Sequence, residues 1–125
     1  MAHWSSKYIE IEYKKMNCSK FVEHVLRDHF KIDRHFPAAS GNSFEQSNLI
    51  RKSLPLFCEK TDRPVDGSLV LMSGNRSLSH VGIFCEIRGV KYVLHTESTL
   101  TTAILHRIAD LPSFGYTLEG FYKWL

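Results

Sequence analysis

The spacing of the apolar residues changes near Pro64, and this change constrains the fold more than any other feature of the sequence. Before it, residues 18–32 carry apolar side chains at helical spacing, and residues 43–55 form a second helical pattern that ends at Pro55. After it, short β-rich runs alternate with turn residues. Helices followed by antiparallel strands predict an α+β fold, with helices packed on one face of a small sheet. Strands are predicted at residues 68–72, 80–87, 90–97 and 120–125, while residues 103–111 are ambiguous.

The composition predicts a single domain that spans residues 1–125. A chain of 125 residues with 43% hydrophobic residues and a net charge of +3 is too apolar and too weakly charged to be disordered. Its apolar runs are shorter than the roughly 18 residues of a membrane span, so none is expected. The basic residues are scattered, which argues against nucleic-acid binding. Residues 1–15 carry no signal-peptide core, so we expect synthesis in the cytoplasm without a signal peptide.

Cys18 stands at the predicted start of the first helix, directly after Asn17, which is a good N-cap residue. The first N–H groups of a helix lack partners within it, and the helix dipole adds partial positive charge there. Both effects favour the thiolate, so we expect a depressed pKa for Cys18 and a nucleophilic sulfur. The same amides, including that of Ser19, are candidates for an oxyanion hole. A small buried side chain without chemistry is the alternative for Cys18, and Cys58 and Cys85 are interpreted as structural.

Two histidines, His80 and His95, lie on the strands of a hairpin centred on Arg88-Gly89, within about one residue of direct opposition. A catalytic thiol needs a base, and the base needs a third group that holds its tautomer. A histidine beside another histidine meets both needs. Glu97 shares strand parity with His95 and is the alternative third member, or else a solvated carboxylate. The remaining internal histidines are interpreted as surface groups without convergent partners: His24, His29, His35 and His106.

Four motifs occur in order along the chain: YKKMNCSKFV at residues 13–22, DGSLV at 66–70, SHVGIF at 79–84 and VLH at 93–95. Together they resemble the NlpC family of papain-like cell-wall cysteine peptidases, in the compact form found in phage tail proteins. The resemblance covers the chain from Tyr8 to the end, and residues 80–84 are its most specific part. Asn17 and Lys20 depart from the aspartate and glycine that the family usually carries there.

The resemblance implies a papain-like fold and a set of site residues. Cys18 matches the family nucleophile, His80 the general base and His95 the polar third member, while Tyr13 matches the tyrosine near the oxyanion. The implied activity is hydrolysis of amide bonds in peptidoglycan stem peptides through a thioester, with no metal or organic cofactor. Delivery to the cell wall would use a phage tail, a secretion apparatus or cell lysis, and an immunity protein is a further candidate partner.

Two other functions stay open at this point. One is a related cysteine-dependent acyl transferase or amidase that uses the same three residues on another substrate. The other is a non-catalytic phage-tail or interaction module with a vestigial site. The occurrence of all three catalytic residue types in the family's order favours an enzyme over the module.

Overall fold

The computed structural model describes residues 3–9, 18–35, 43–74, 79–96 and 103–125. Helices come first in this part of the chain: α1 (Ser6–Ile9), α2 (Cys18–Val25), a π-helical turn (Leu26–Phe30) and α3 (Ser43–Phe57). Strands follow: β1 (Cys58–Thr61), β2 (Leu69–Ser73), β3 (Ser79–Ile87), β4 (Val90–His95), β5 (Ile104–Arg107) and β6 (Thr117–Trp124). A 3-10 helix (Ile108–Phe114) connects β5 to β6.

The described strands form one antiparallel sheet in the order β1-β6-β2-β3-β4-β5. The strand β6 is the last in sequence but lies between β1 and β2 in the sheet. Because β1 directly follows α3 along the chain, β6 pairs with the strand that begins at the end of α3. The helix α2 packs on β3, and α3 packs on β3 and β1. Helices followed by an antiparallel sheet confirm the α+β prediction.

The sheet is buried on both faces, and alternate residues of its central strands divide between two cores. On β3, Val81, Ile83 and Cys85 pack with the helices in the helix-side core. Phe84 points the other way, into an opposite core that the 3-10 helix covers through Leu111. The opposite core consists of five buried residues: Val70, Met72, Phe84, Val93 and Leu111. Burial on both faces accounts for the nearly continuous apolar run of β2.

The amphipathic helix predicted at residues 18–32 is confirmed over α2 and the π-helical turn. Its central apolar residues are fully buried in the helix-side core: Phe21, Val22, Val25 and Leu26. Glu23 lies off this apolar face at helical spacing, yet it is also buried. Its Oε1 lies 3.0 Å from His35 Nδ1, and its Oε2 lies 3.6 Å from Lys20 Nζ. Helical spacing could not predict this burial, because His35, which contacts the Glu23 carboxylate, belongs to the chain that follows the helix.

Several predicted boundaries are corrected by the structure. The helix α3 continues through Pro55 to Phe57, where the Leu125 N–H donates to the Phe57 carbonyl at 2.8 Å. Proline removes one backbone donor, and so near a helix end it need not stop the last turn. Cys58 begins β1 and pairs with Trp124, in a segment where no strand was predicted. The ambiguous segment 103–111 divides into β5 and the start of the 3-10 helix.

The hairpin predicted at Arg88-Gly89 is confirmed. Both turn residues have positive φ, 52° for Arg88 and 80° for Gly89, as a type I′ turn requires. This turn sets the register in which Ile83 lies opposite Leu94. In the same register Gly82 lies opposite His95. His80 is two residues from Gly82 on the same face, so it is a diagonal rather than a direct neighbour of His95.

Gly82 has no room for a side chain. A Cβ there would lie 2.5 Å from Val93 Cγ2, 2.9 Å from the Leu94 carbonyl oxygen and 3.0 Å from His95 Cβ. The absence of a side chain therefore lets β4 carry His95 close against β3.

We predict that Gly82→Ala lowers the free energy of unfolding by about 1–3 kcal/mol, because the added methyl group overpacks a contact made partly by backbone. The matched control is Gly74→Ala, since the one described atom within 4 Å of a Cβ at Gly74 is Tyr116 Cε1, at 3.8 Å. Urea unfolding of both variants measures the difference. Equal stability of the two would mean that β4 moves away without cost.

Candidate active site

Three imidazole rings are hydrogen-bonded in series on the opposite-core face of the sheet. His80 Nε2 lies 2.7 Å from His95 Nδ1, and His95 Nε2 lies 3.0 Å from His106 Nδ1. Because the rings bond to one another rather than around a common point, they do not make a metal site. Across the described residues, no group of three or more His, Cys, Asp or Glu side chains could hold a metal ion. The three rings are called the histidine chain below.

Strand pairing places the three rings. His80 lies at the start of β3 opposite Met72, His95 ends β4, and His106 on β5 lies opposite Val93. Two aromatic rings hold the ends of the histidine chain. Tyr116 stacks on His80 with centroids 5.1 Å apart, and Phe114 stacks on His106 at 4.0 Å with 12° between the planes.

Burial keeps the rings of His80 and His95 neutral. Desolvation lowers the pKa of His80 from 6.5 to about 4. His95 is fully buried, and desolvation followed by the charges of His80 and His106 lowers its pKa from 6.5 to about 2. At neutral pH each of these two rings therefore carries a single ring proton, and the position of that proton decides which nitrogen can act as a base.

Cys18 is the first residue of α2 and packs, partly buried, against the helix-side core. Its sulfur makes hydrogen bonds with the backbone of Val81, Ser19 and Cys18 itself, and these bonds lower its pKa. Desolvation is the larger effect and raises the pKa above the ordinary value of 9.0. The expected depressed pKa of Cys18 is therefore wrong. The helix-start amides act in the expected direction, but burial outweighs them.

The sulfur of Cys18 and the ring of His80 approach β3 from different sides. Cys18 belongs with the helix-side core, whereas His80 stacks on Tyr116, which packs against the opposite core. They come together at the start of β3, because Val81, the backbone partner of the sulfur, directly follows His80. Among the described residues no hydrogen bond joins the Cys18 sulfur to the His80 ring.

The other two cysteines are buried and keep their thiols protonated. Desolvation raises the pKa of Cys58 from 9.0 to about 12. It also raises the pKa of Cys85, whose Sγ lies 3.7 Å from the Ile83 carbonyl oxygen. Neither has a depressed pKa, as predicted.

The remaining predicted site residues have different outcomes. Tyr13 and Glu97 lie outside the described residues. The side chain of Ser19 is buried. The part of Ser19 that interacts with the Cys18 sulfur is its backbone, which is the group considered for the oxyanion hole. His106, interpreted as a surface group without partners, is instead the third ring of the histidine chain. His35 is an exposed surface group, as predicted, but it has a partner, because its Nδ1 lies 3.0 Å from Oε1 of the Glu23 carboxylate.

The pairing of β4 with β5 is the signal that would have found His106. In that pairing His106 lies opposite Val93 and two residues from Ile104, the partner of His95, so both histidines lie on the same face of the sheet. The strand has only four residues, and a run of that length shows no reliable period-two pattern.

We predict that the protein loses stability as the pH falls from 7 to 5. Since burial depresses the folded-state pKa of His80 and His95 below 6.5, the unfolded chain binds more protons in this window, and unfolding becomes easier. Each ring contributes about 2 kcal/mol over this interval. His95→Asn should therefore weaken the dependence by about 2 kcal/mol, measured by urea unfolding at pH 7 and at pH 5. An unchanged dependence in His95→Asn would show that His95 is not held neutral by burial.

Comparisons with known proteins do not identify a family for this chain. A scan against protein-family models, a search of curated proteins and a search of solved structures each found no match. The resemblance to the NlpC family therefore stays a prediction that rests on the four sequence motifs. In the described ranges, no helix is both long and apolar enough to cross a membrane.

Proposed function

We propose that this protein is a cysteine hydrolase that cleaves amide bonds in peptidoglycan stem peptides. Cys18 is the nucleophile, His80 the general base and His95 the residue that orients His80. The observation that carries the proposal is the 2.7 Å hydrogen bond between His80 and His95. It lies at the start of β3, where the backbone of Val81 interacts with the Cys18 sulfur. The substrate class comes from the motif resemblance to NlpC peptidases rather than from geometry.

The first chemical step starts from a neutral thiol and a neutral imidazole, since burial raises the pKa of Cys18 and lowers that of His80. The sulfur attacks the amide carbon while the thiol proton passes to Nδ1 of His80, and the carbonyl π electrons move onto oxygen. His80 Nε2 stays bonded to His95. The oxyanion formed in the same step offsets the cost of a buried imidazolium, and backbone N–H groups at the start of α2 stabilise it.

The second half of the reaction returns the enzyme to its starting state. The His80 imidazolium gives its proton to the departing amine as the C–N bond breaks, which leaves a thioester on Cys18. A water molecule then attacks the thioester carbon while His80 takes its proton. The acid product leaves as the C–S bond breaks, and the proton on His80 returns to the sulfur.

The proposed mechanism requires the Cys18 thiol to turn toward the His80 ring when substrate binds. Catalytic hydrogen bonds are often long before substrate arrives and tighten in the substrate complex. Val81, whose backbone interacts with the sulfur, directly follows His80 on β3, so the movement takes place at the start of this strand.

The raised pKa of Cys18 and the missing hydrogen bond to His80 also favour a second candidate. This is a non-catalytic module, such as a phage-tail or interaction domain, that retains the three residue types without turnover.

For the hydrolase, the proposed setting is the cell wall, reached through a phage tail, a secretion apparatus or lysis.

We predict that Cys18→Ala abolishes hydrolysis of purified peptidoglycan, because no thioester can form. His80→Ala should reduce turnover by about 100-fold or more, since nucleophile and base act as one unit. His95→Ala should be milder, because water can partly replace an orienting group. Mass spectrometry of the released fragments measures each rate and identifies the bond cleaved.

His29→Ala is the matched control, since it removes an exposed imidazole outside the histidine chain. Retention of more than about a tenth of native turnover by Cys18→Ala would exclude covalent catalysis by Cys18. A dispensable His95 together with a damaging Glu97→Gln would assign the third role to the carboxylate. A folded native protein without any hydrolase activity would favour the non-catalytic module.

A further inference from the structure

The third ring of the histidine chain has no role in the mechanism above. His106 contacts His95 through Nδ1 at 3.0 Å, and its ring is fixed by the stack on Phe114. His95 is fully buried, and both of its ring nitrogens are engaged, one by His80 and one by His106. The tautomer of His95 is therefore coupled to the tautomers of both neighbouring rings.

We propose that His106 is a positioning residue that sets the direction of all the N–H···N bonds in the histidine chain and thereby decides which nitrogen of His80 is basic. The inference rests on the proposed function for its catalytic consequence. The proton order itself is a property of the three rings and can be measured without any substrate.

Only two proton orders satisfy both contacts when the rings are neutral, because a neutral imidazole has one N–H donor and one acceptor nitrogen. In the outward order, His80 Nε2–H donates to His95 Nδ1, and His95 Nε2–H donates to His106 Nδ1. In the inward order, His106 Nδ1–H donates to His95 Nε2, and His95 Nδ1–H donates to His80 Nε2. A mixed order would leave one contact without a proton or crowd two protons into it.

The two orders give His80 opposite chemistry. In the outward order His80 Nδ1 carries a lone pair and can accept the Cys18 proton. In the inward order His80 Nδ1 carries the proton, so the ring is a donor and not a base. An acceptor at the Nδ1 position of His106 selects the outward order, in the way that the partner of one histidine nitrogen normally sets the tautomer of the ring.

The geometry points to His106 as the controlling end. His80 Nε2 is bonded to His95, and His80 Nδ1 is the atom that takes part in the proposed proton transfer, so His106 is the end of the histidine chain that lies away from the chemistry. His106 lies on the edge strand β5, partly exposed, whereas His95 is sealed in the interior. The stack of Phe114 on His106 keeps Nδ1 aimed at His95.

The test compares two substitutions at the same position. His106→Asn keeps an acceptor oxygen near the place of Nδ1, whereas His106→Leu keeps bulk against Phe114 but offers no acceptor. Nitrogen-15 NMR of histidine-labelled protein at pH 7 reports which nitrogen of each ring is protonated. We expect native protein and His106→Asn to show His80 protonated at Nε2 only, and His106→Leu to show a substantial population protonated at Nδ1.

The kinetic parameters kcat and KM should distinguish the same two variants. His106→Leu should lower kcat about tenfold or more with little change in KM, because the wrong tautomer disables the base, and His106→Asn should restore most of it. His106→Phe, which can also stack on Phe114, replaces His106→Leu if that variant fails to fold. His29→Leu controls for the loss of an imidazole elsewhere.

Two results would overturn the inference: native His80 protonated at Nδ1, or an unchanged His80 tautomer in a folded variant that lacks an acceptor at residue 106. Failure of the proposed function looks different, because the native protein would then show no hydrolysis while the NMR spectra still report the proton order.

Discussion

The register between β3 and β4 is the constraint on which the candidate site depends. The positive φ values of Arg88 and Gly89 allow a two-residue turn, and the turn fixes Ile83 opposite Leu94. A shift by one residue would move His95 to the helix-side face and separate it from His80. The missing side chain of Gly82 then lets His95 pack close enough for a 2.7 Å hydrogen bond.

Burial gives this site a different electrostatic character from a preformed thiolate–imidazolium pair. Amides at the start of α2 favour the thiolate of Cys18, but removal of the sulfur from water costs more, and the thiol stays protonated. Burial also makes His80 and His95 neutral. With charges removed, the proposed mechanism depends on the proton order along the histidine chain, and it requires substrate binding to bring the sulfur to the His80 ring.

The sequence allowed prediction of those features that depend on local pattern. The apolar face of α2, the Arg88-Gly89 hairpin and the contact between His80 and His95 all follow from spacing within one element or across one turn. His106 was missed because its partner is set by the pairing of β4 with a four-residue edge strand. The sign of the Cys18 pKa shift could not be predicted either, because it depends on how deeply the packing of α2 on β3 buries the sulfur.

Covalent trapping is the measurement that shows whether Cys18 is a nucleophile. The native protein would be incubated with a stem-peptide analogue that carries a vinyl sulfone in place of the scissile amide, and the modified residue would be located by peptide mass spectrometry. We expect one adduct per chain, on the Cys18 sulfur, formed about 100-fold more slowly in His80→Ala. An unmodified Cys18 in folded protein, with its thiol fully reactive after unfolding, would mean that Cys18 is not the nucleophile.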